Sequence, residues 1–340
     1  MEITIKTLAA ELNLSIATVS RALQDSHEVA DKTKRRVLEM AGKLNYHPNP
    51  YASSLRKQKS KTIAVIIPEI ANNFFSFALK GIQKVVEKEG YNFLVYLTEE
   101  DLEKEIAITK QLQSGRVDGI IIALSSQTDS VSHLWDLHNM KIPMVFFDRV
   151  CDQIDASKVY TNNFESAMNA TSHLIENGCK KIGYFQLSNK LSLAERRMSG
   201  YKAALETHQI AFDEGLVLTC GTNVEENYQR IKGLISEKTL DGIFASVEAL
   251  TITSYDVCKG LGLSIPRDMK IVSFSNLATA HLLSPPLTTI NQPAFEMGME
   301  AASLLFRNLT KYNAYPVVEK AEFKSVLMAR ESSVEVRPLP

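Results

Sequence analysis

Leu14–Leu23 reads LSIATVSRAL. Ser15 is a good helix N-cap, and Leu14 before it and Val19 four residues after it are spaced as a hydrophobic staple. Val19, Ala22 and Leu23 turn inward on this helix, which leaves Ile16, Ala17, Ser20, Arg21 and Gln24 on its other faces. Upstream, Ile5, Leu8, Ala9 and Leu12 follow i, i+3, i+4, i+7 behind Thr4 as N-cap, and Asn13 tolerates the left-handed conformation that a tight turn needs. Two short helices joined by so short a turn make a helix-turn-helix pattern. Val37, Met40, Ala41 and Leu44 mark a third helix with Lys32, Lys34, Arg35 and Arg36 in its first half, where cations oppose the helix dipole and a nearby phosphate would relieve the cost. Pro48 is expected to stop that helix. Asn49 and Pro50 then suit the N-cap and first position of a further short helix over 51–56, too short to be stable alone, before the basic linker RKQKSK (56–61).

Charge sets this head apart. Residues 1–61 carry eleven Lys/Arg against six Asp/Glu, whereas the whole 340-residue chain has a formal net charge of −1. A basic head on an acidic body points to a polyanion as the head's partner. There is no run of about 18 apolar residues to cross a membrane and no signal-peptide h-region, so a cytoplasmic protein is expected. Cys151, Cys179, Cys220 and Cys258 are widely spaced with no C-x-x-C pair, which fits free thiols in a reducing compartment.

The remainder is internally repeated. KTIAVII (61–67) parallels KKIGYFQ (180–186), VDGIIIAL (117–124) parallels LDGIFASV (240–247), and Ile-Pro recurs at 142 and 265. Short apolar runs alternate with helical stretches, the mark of parallel βαβ units. Two doubly wound parallel-sheet lobes are expected, with a ligand cleft at the carboxyl ends of their strands. Asp148 ends one such run, PMVFFD.

TIKTLAAELNLSIATVSRAL, NYHPNPYASSL and KTIAVIIPEIANNFF together resemble the LacI/GalR family of bacterial regulators in order and spacing from end to end. The resemblance implies an all-α helix-turn-helix head (1–47), a hinge helix and linker (48–61) and a periplasmic-binding-protein-like α/β core (62–340). Lobe 1 would take about 62–161 and 292–322, and lobe 2 about 162–291 and 323–340. It also implies DNA contacts by Thr4, Ser15, Ile16, Ala17, Thr18, Ser20 and Arg21 in the head and by Asn49, Ala52, Ser53 and Leu55 in the hinge. Leu55 matches a leucine that wedges into the minor groove; the other reading is a hinge residue packed on its own domain. The family's usual Arg or Gln is Ser53 here.

For the effector, Asn72, Phe74, Phe75 and Arg197 match pocket positions, with core packing as the alternative for the aromatics and a surface charge as the alternative for Arg197. Where the family carries Asn-Asp this chain has Ser246-Val247, and where it carries Gly-Phe/Tyr-Asp-Asp this chain has Ser273-Phe274-Ser275-Asn276. Ser246 and Ser275 therefore replace polar partners of a sugar, and a register shift would let Glu248 stand in for one carboxylate. A less acidic pocket suited to a uronate or sugar phosphate, besides a plain sugar, is the expectation.

KGLGLS (259–264) lacks the third glycine of a nucleotide loop and reads as a helix stop, and no P-loop, zincin or G-x-S-x-G motif occurs, so neither an enzyme nor a cofactor is expected. A periplasmic sugar-binding protein would share the body but not the basic head. The expected partners are a palindromic double-stranded operator, a small carbohydrate-like effector and a second copy of the chain, with no membrane. Ile16 and Ala17 then become the specificity surface, able to approach thymine methyl groups. Arg21 suits guanine, and Thr18 and Ser20 suit phosphates.

Overall fold

A computed structural model describes residues 3–46, 60–114, 116–310 and 317–334. The chain divides into two compact units that meet between residues 60 and 61.

Among its described residues the first unit holds three helices, α1 (Ile5–Leu12), α2 (Ile16–Leu23) and α3 (Asp31–Lys43). Thr4 accepts from the Thr7 N–H in a reciprocal capping box, and Ser15 Oγ accepts from the Thr18 N–H at 3.0 Å. Asn13 ends α1 at φ 51°, as its tolerance of that region predicts. Leu8, Leu12, Val19, Ala22, Val37 and Ala41 close a small core over which Leu14, Leu23, Met40 and Leu44 pack. One expectation is corrected. α3 stops at Lys43, well before Pro48, because Asn45 turns left-handed (φ 50°) and the Tyr46 N–H reaches back to the Ala41 carbonyl at 2.8 Å. The hinge helix expected over 51–56, with Asn49, Ala52, Ser53 and Leu55, lies outside the described residues.

The second unit holds two six-stranded sheets. Lobe 1 is built from β1 (Thr62–Ile67), α4 (Asn73–Lys88), β2 (Asn92–Leu97), α5 (Leu102–Leu112), β3 (Gly119–Ile122), α6 (Ser132–Asn139), β4 (Met144–Phe147) and β5 (Ser157–Thr161). Lobe 2 follows with α7 (Asn163–Glu176), β6 (Ile182–Gln186), α8 (Ser192–Thr207), β7 (Val217–Thr219), α9 (Val224–Lys238), β8 (Gly242–Ala245), α10 (Glu248–Gly260), β9 (Lys270–Phe274) and β10 (Thr288–Asn291). The chain returns to lobe 1 for α11 (Ala294–Thr310) and β11 (Lys320–Phe323), then ends its described structure in lobe 2 with β12 (Val326–Met328).

Strand orders are β11-β5-β4-β3-β1-β2 and β12-β10-β9-β8-β6-β7, parallel throughout except β12 against β10. The repeated sequences thus occupy equivalent strands: β1 with β6, and β3 with β8. Their central strands are buried nearly end to end, as sheets covered by helices on both faces require. A matching pair of glycines closes each lobe. A Cβ on Gly81 in α4 would meet the Phe295 carbonyl oxygen of α11 at 2.0 Å, and one on Gly200 in α8 would meet that of Phe164 in α7 at 2.2 Å. In both lobes, therefore, the helix after a crossover packs backbone to backbone on the helix that follows the first repeated strand, β1 in lobe 1 and β6 in lobe 2.

The three crossovers, 161–163, 291–294 and 323–326, are bonded to one another. The Asn162 N–H donates to the Phe323 carbonyl (2.9 Å), the Ser325 N–H donates to Asn162 Oδ1 (2.8 Å), and Gln292 Nε2 donates to Thr161 Oγ1 (3.1 Å). Farther along the lobe boundary, Ser188 Oγ donates to the Ser126 carbonyl (2.6 Å), Ser192 Oγ to the Val150 carbonyl (3.0 Å), and Lys190 pairs with Asp129 (3.0 Å).

Candidate functional site

The carboxyl ends of β1, β4, β8 and β9 face a common cleft between the lobes. Each delivers its side chains on the turn that follows the strand, which is where open α/β sheets gather ligand groups. All eight residues singled out for an effector line the cleft: Asn72, Phe74, Phe75, Asp148, Arg197, Ser246, Glu248 and Ser275. A larger concavity on the flank of lobe 2, lined by Tyr228, Tyr255 and Pro285 among others, holds none of them. The inter-lobe cleft is preferred as the site because the buried charged groups Asp148, Arg149 and Arg197 converge on it.

Lobe 1 supplies the aromatic wall. Asn72 caps α4, its Oδ1 accepting from the Phe74 N–H at 2.9 Å, which fixes where the two phenylalanines begin. Phe74 stacks on Phe147 with centroids 5.5 Å apart and meets Phe75 edge-on at 5.2 Å. Both rings also belong to the lobe 1 core, so the packing and pocket readings hold together. Asp148 sits just past β4 at φ 58° and accepts from Gln292 Nε2 at 3.1 Å.

Lobe 2 supplies Arg197, and its surface-charge reading is excluded: the residue is 4% exposed. Its Nε donates to Asn163 Oδ1 (2.7 Å), its Nη1 donates to the Ser246 carbonyl (2.6 Å), and its guanidinium lies 3.6 Å from the Phe274 ring centroid. Among the described residues no carboxylate forms an ion pair with it. Burial lowers its pKa to about 10, against the opposing pull of Asp148. Glu248, at the first position of α10, accepts from Ser275 Oγ at 2.5 Å and so does bring a carboxylate into the cleft.

Three lining residues went unnoticed in the sequence: the apolar Leu193 and two that carry polar groups, Arg149 and Gln292. Arg149 is held by Glu100, Nη1 to Oε2 at 2.7 Å and Nη2 to Oε1 at 2.8 Å. Burial works to raise the Glu100 carboxyl, but the Arg149 guanidinium and the Ser126 N–H outweigh it and hold the group below the usual range. Gln292 accepts from Asn276 Nδ2 at its carbonyl (2.7 Å) and donates to Asp148 and Thr161, so one amide ties the cleft to two crossovers. An Arg following Asp at a strand end was visible as a signal; a lone Gln was not.

In the head, Ser15, Ile16 and Arg21 are exposed, Ala17, Thr18 and Ser20 are half-buried on α2, and Thr4 is exposed at the start of α1. Thr18 Oγ1 lies 2.8 Å from Ser15 Oγ. Arg21 Nε pairs with Glu28 at 3.1 Å, an exposed contact that a nucleic-acid base can displace at little cost. Lys34, expected among the cations open to phosphate, is instead drawn onto Asp25 (2.7 Å), where it fastens the turn before α3. Among the described residues no group of His, Cys, Asp and Glu has metal-binding geometry, and no helix is long and apolar enough to cross a membrane.

Residues 4–49 match the profile described as bacterial regulatory proteins of the lacI family, and residues 60–324 that of periplasmic binding proteins and the sugar-binding domain of the LacI family. The chain is 31% identical to a ribose operon repressor of Halalkalibacterium halodurans over 91% of both chains. A LacI-family regulator from Enterococcus faecium, solved with bound ribose, is 26% identical, with a TM-score of 0.70 over 81% of this chain and 100% of its own. A regulator from Silicibacter pomeroyi, 22% identical, shares the fold over 98% of this chain and 100% of its own, with a TM-score of 0.80.

Proposed function

This chain belongs to the LacI family of bacterial regulatory proteins, and on that premise we propose the effector, operator and assembly with which it works. It is a DNA-binding transcriptional regulator under the control of a small effector bound by its core. A sugar-binding protein without a regulatory role would leave the helix-turn-helix head without a purpose. The chain acts by binding and not by catalysis, and it acts in the cytoplasm, where operator DNA is.

The effector is a neutral sugar, held at Asn72, Phe74, Phe75, Asp148, Arg197, Ser246, Glu248 and Ser275. The observation that carries this is the charge around the cleft. Asp148 and Glu248, two carboxylates, face the single guanidinium of Arg197, while the charge of Arg149 is cancelled by Glu100. This reading departs from the expected uronate or sugar phosphate, because Glu248 restores one of the carboxylates absent from the family's usual positions. Asp148 accepts from sugar hydroxyls and Arg197 donates to them, with the phenylalanine faces against the ring's apolar C–H surface. The ribose-bound relative supports the same class.

A homodimer is supported by apolar surface on both lobes. Leu94, Val95 and Leu97 of β2, and Val224 and Leu282 in lobe 2, are exposed. A two-fold dimer places one α2 in the major groove of each half-site, so the operator is a near-palindrome read by Ile16, Ala17 and Arg21, with Thr4, Ser15, Thr18 and Ser20 nearer the backbone. The hinge contacts Asn49, Ala52, Ser53 and Leu55 complete the DNA surface. A sugar that touches both lobes favours the arrangement in which they are joined, and it shifts operator affinity by the same factor that DNA shifts sugar affinity.

A thermal-shift screen of neutral sugars, uronates, sugar phosphates and nucleosides tests the effector class. A neutral sugar should raise the melting temperature most, and a uronate or sugar phosphate as the sole hit would refute the assignment. Leu55→Ala should weaken operator binding and leave sugar affinity unchanged; equal loss of both would refute the hinge role.

A further inference from the structure

Arg149 and Glu100 form the one buried ion pair at the edge of the cleft, among the described residues, that sugar binding as described above does not use. Arg149 lines the cleft 5.7 Å from the Phe75 ring centroid, whereas Glu100 is not among the lining residues and approaches from behind, on the loop between β2 and α5. Arg149 also donates to the Leu124 carbonyl at 3.0 Å, and Glu100 Oε2 accepts the Ser126 N–H at 2.7 Å. Both residues are less than 10% exposed.

The backbone is bent to make this pairing. Glu99 and Glu100 lie at φ 54° and 60°, two consecutive non-glycine residues in the left-handed region, and Asp148, next to Arg149, lies at φ 58°. Such conformations cost energy and persist where the surroundings over-determine them. Here the determining contacts include the bidentate ion pair itself.

The chemical consequence concerns charge. A guanidinium already gripped by a carboxylate at both terminal nitrogens has little to offer a phosphate or a second carboxylate unless that pair is broken. An anionic ligand in the cleft would then meet Asp148 and Glu248 against Arg197 alone. Without the negative charge of Glu100, Arg149 and Arg197 together would balance those two carboxylates.

We propose that Glu100 is a specificity-determining residue: by neutralising Arg149 from behind the cleft wall, it excludes uronates and sugar phosphates and reserves the cleft for neutral sugars. This rests on the reading of the cleft as the sugar site. Glu100 acts through Arg149 and not by touching ligand, so its test needs a readout that loss of a structural strut would not produce.

The full chain, Glu100→Gln and the double variant Glu100→Gln/Arg149→Met are titrated calorimetrically with D-ribose, D-ribose 5-phosphate and inorganic phosphate. Glu100→Gln should bind the two phosphate-bearing probes about tenfold or more tighter than the wild type, and the double variant should lose that gain. If Glu100→Gln melts early in phosphate-free buffer, phosphate should raise its melting temperature by more than it raises that of either other protein. Phosphate affinity equal to that of the wild type, a gain that survives in the double variant, or a Glu100→Gln chain unfolded at every phosphate concentration would each overturn the proposal. The D-ribose arm, extended to other neutral sugars, reports separately. If no neutral sugar bound any of the three proteins, the sugar reading would fail while the phosphate result stood.

Discussion

The two lobes share a strand order and a glycine-mediated helix crossing, yet each brings a buried guanidinium to the cleft in a different electrostatic state. In lobe 1, Arg149 has its own carboxylate. In lobe 2, Arg197 is held by neutral oxygens and an aromatic face, and burial depresses its pKa. A duplicated frame has thus acquired unequal halves. One arginine is a strut of the wall, and the other is the group we propose for a ligand.

Removing each arginine in turn tests that division most severely. Arg149→Met strands the Glu100 carboxylate in the interior, and it should cost about 3–5 kcal/mol of stability in denaturant melts. Arg197→Met removes a charge that has no ionic partner, so its stability cost should be much smaller. Its effect should appear in sugar affinity, by about a hundredfold, as expected when charge-assisted bonds to a ligand are lost. Equal stability losses in the two variants would erase the distinction between the lobes.

The shared frame is tested by Gly81→Val and Gly200→Val. Each forces apart two helices that touch through backbone atoms, so both should lower stability by about 1–3 kcal/mol or more. A large loss at one glycine and none at the other would mean that the lobes are not built alike.

A smaller effect is expected from acid. The folded chain holds the Glu100 carboxyl below the ordinary glutamate value of 4.5, so below that value the unfolded chain binds more protons than the folded one. The stabilisation is present above that pH and is lost as pH falls through the folded-state pKa. Wild-type stability should therefore fall more steeply below pH about 4.5 than that of Glu100→Gln/Arg149→Met. Parallel curves would remove the pair from the acid response.

Sequence reasoning reached furthest where structure is local. Thr4, Asn13 and Ser15 act on groups within three to five residues of themselves, and the caps and turn of the head could be read from spacing alone. The eight cleft residues were legible because the repeats located strand ends and the family resemblance located the positions on them. The pairing of Arg149 with Glu100 was not, because 49 residues separate them and their meeting depends on two left-handed turns in charged sequence. Gln292 was hidden for a similar reason: its partners Asp148 and Thr161 come from lobe 1 across a crossover. At the end of α3 an obvious breaker, Pro48, drew attention from the Asn45 cap that comes first.

The central claim is that a sugar joining the lobes governs the grip of the head on DNA. Its most direct test is operator affinity of the full chain, on a palindromic site selected from random duplexes, with and without a neutral sugar that stabilises the protein. A shift of about 5- to 150-fold is expected for the wild type, and its direction distinguishes induction from co-repression. Arg197→Met should show no shift at the same sugar concentration while binding the operator normally without sugar. A wild-type operator affinity that is the same at zero and saturating sugar would contradict the claim.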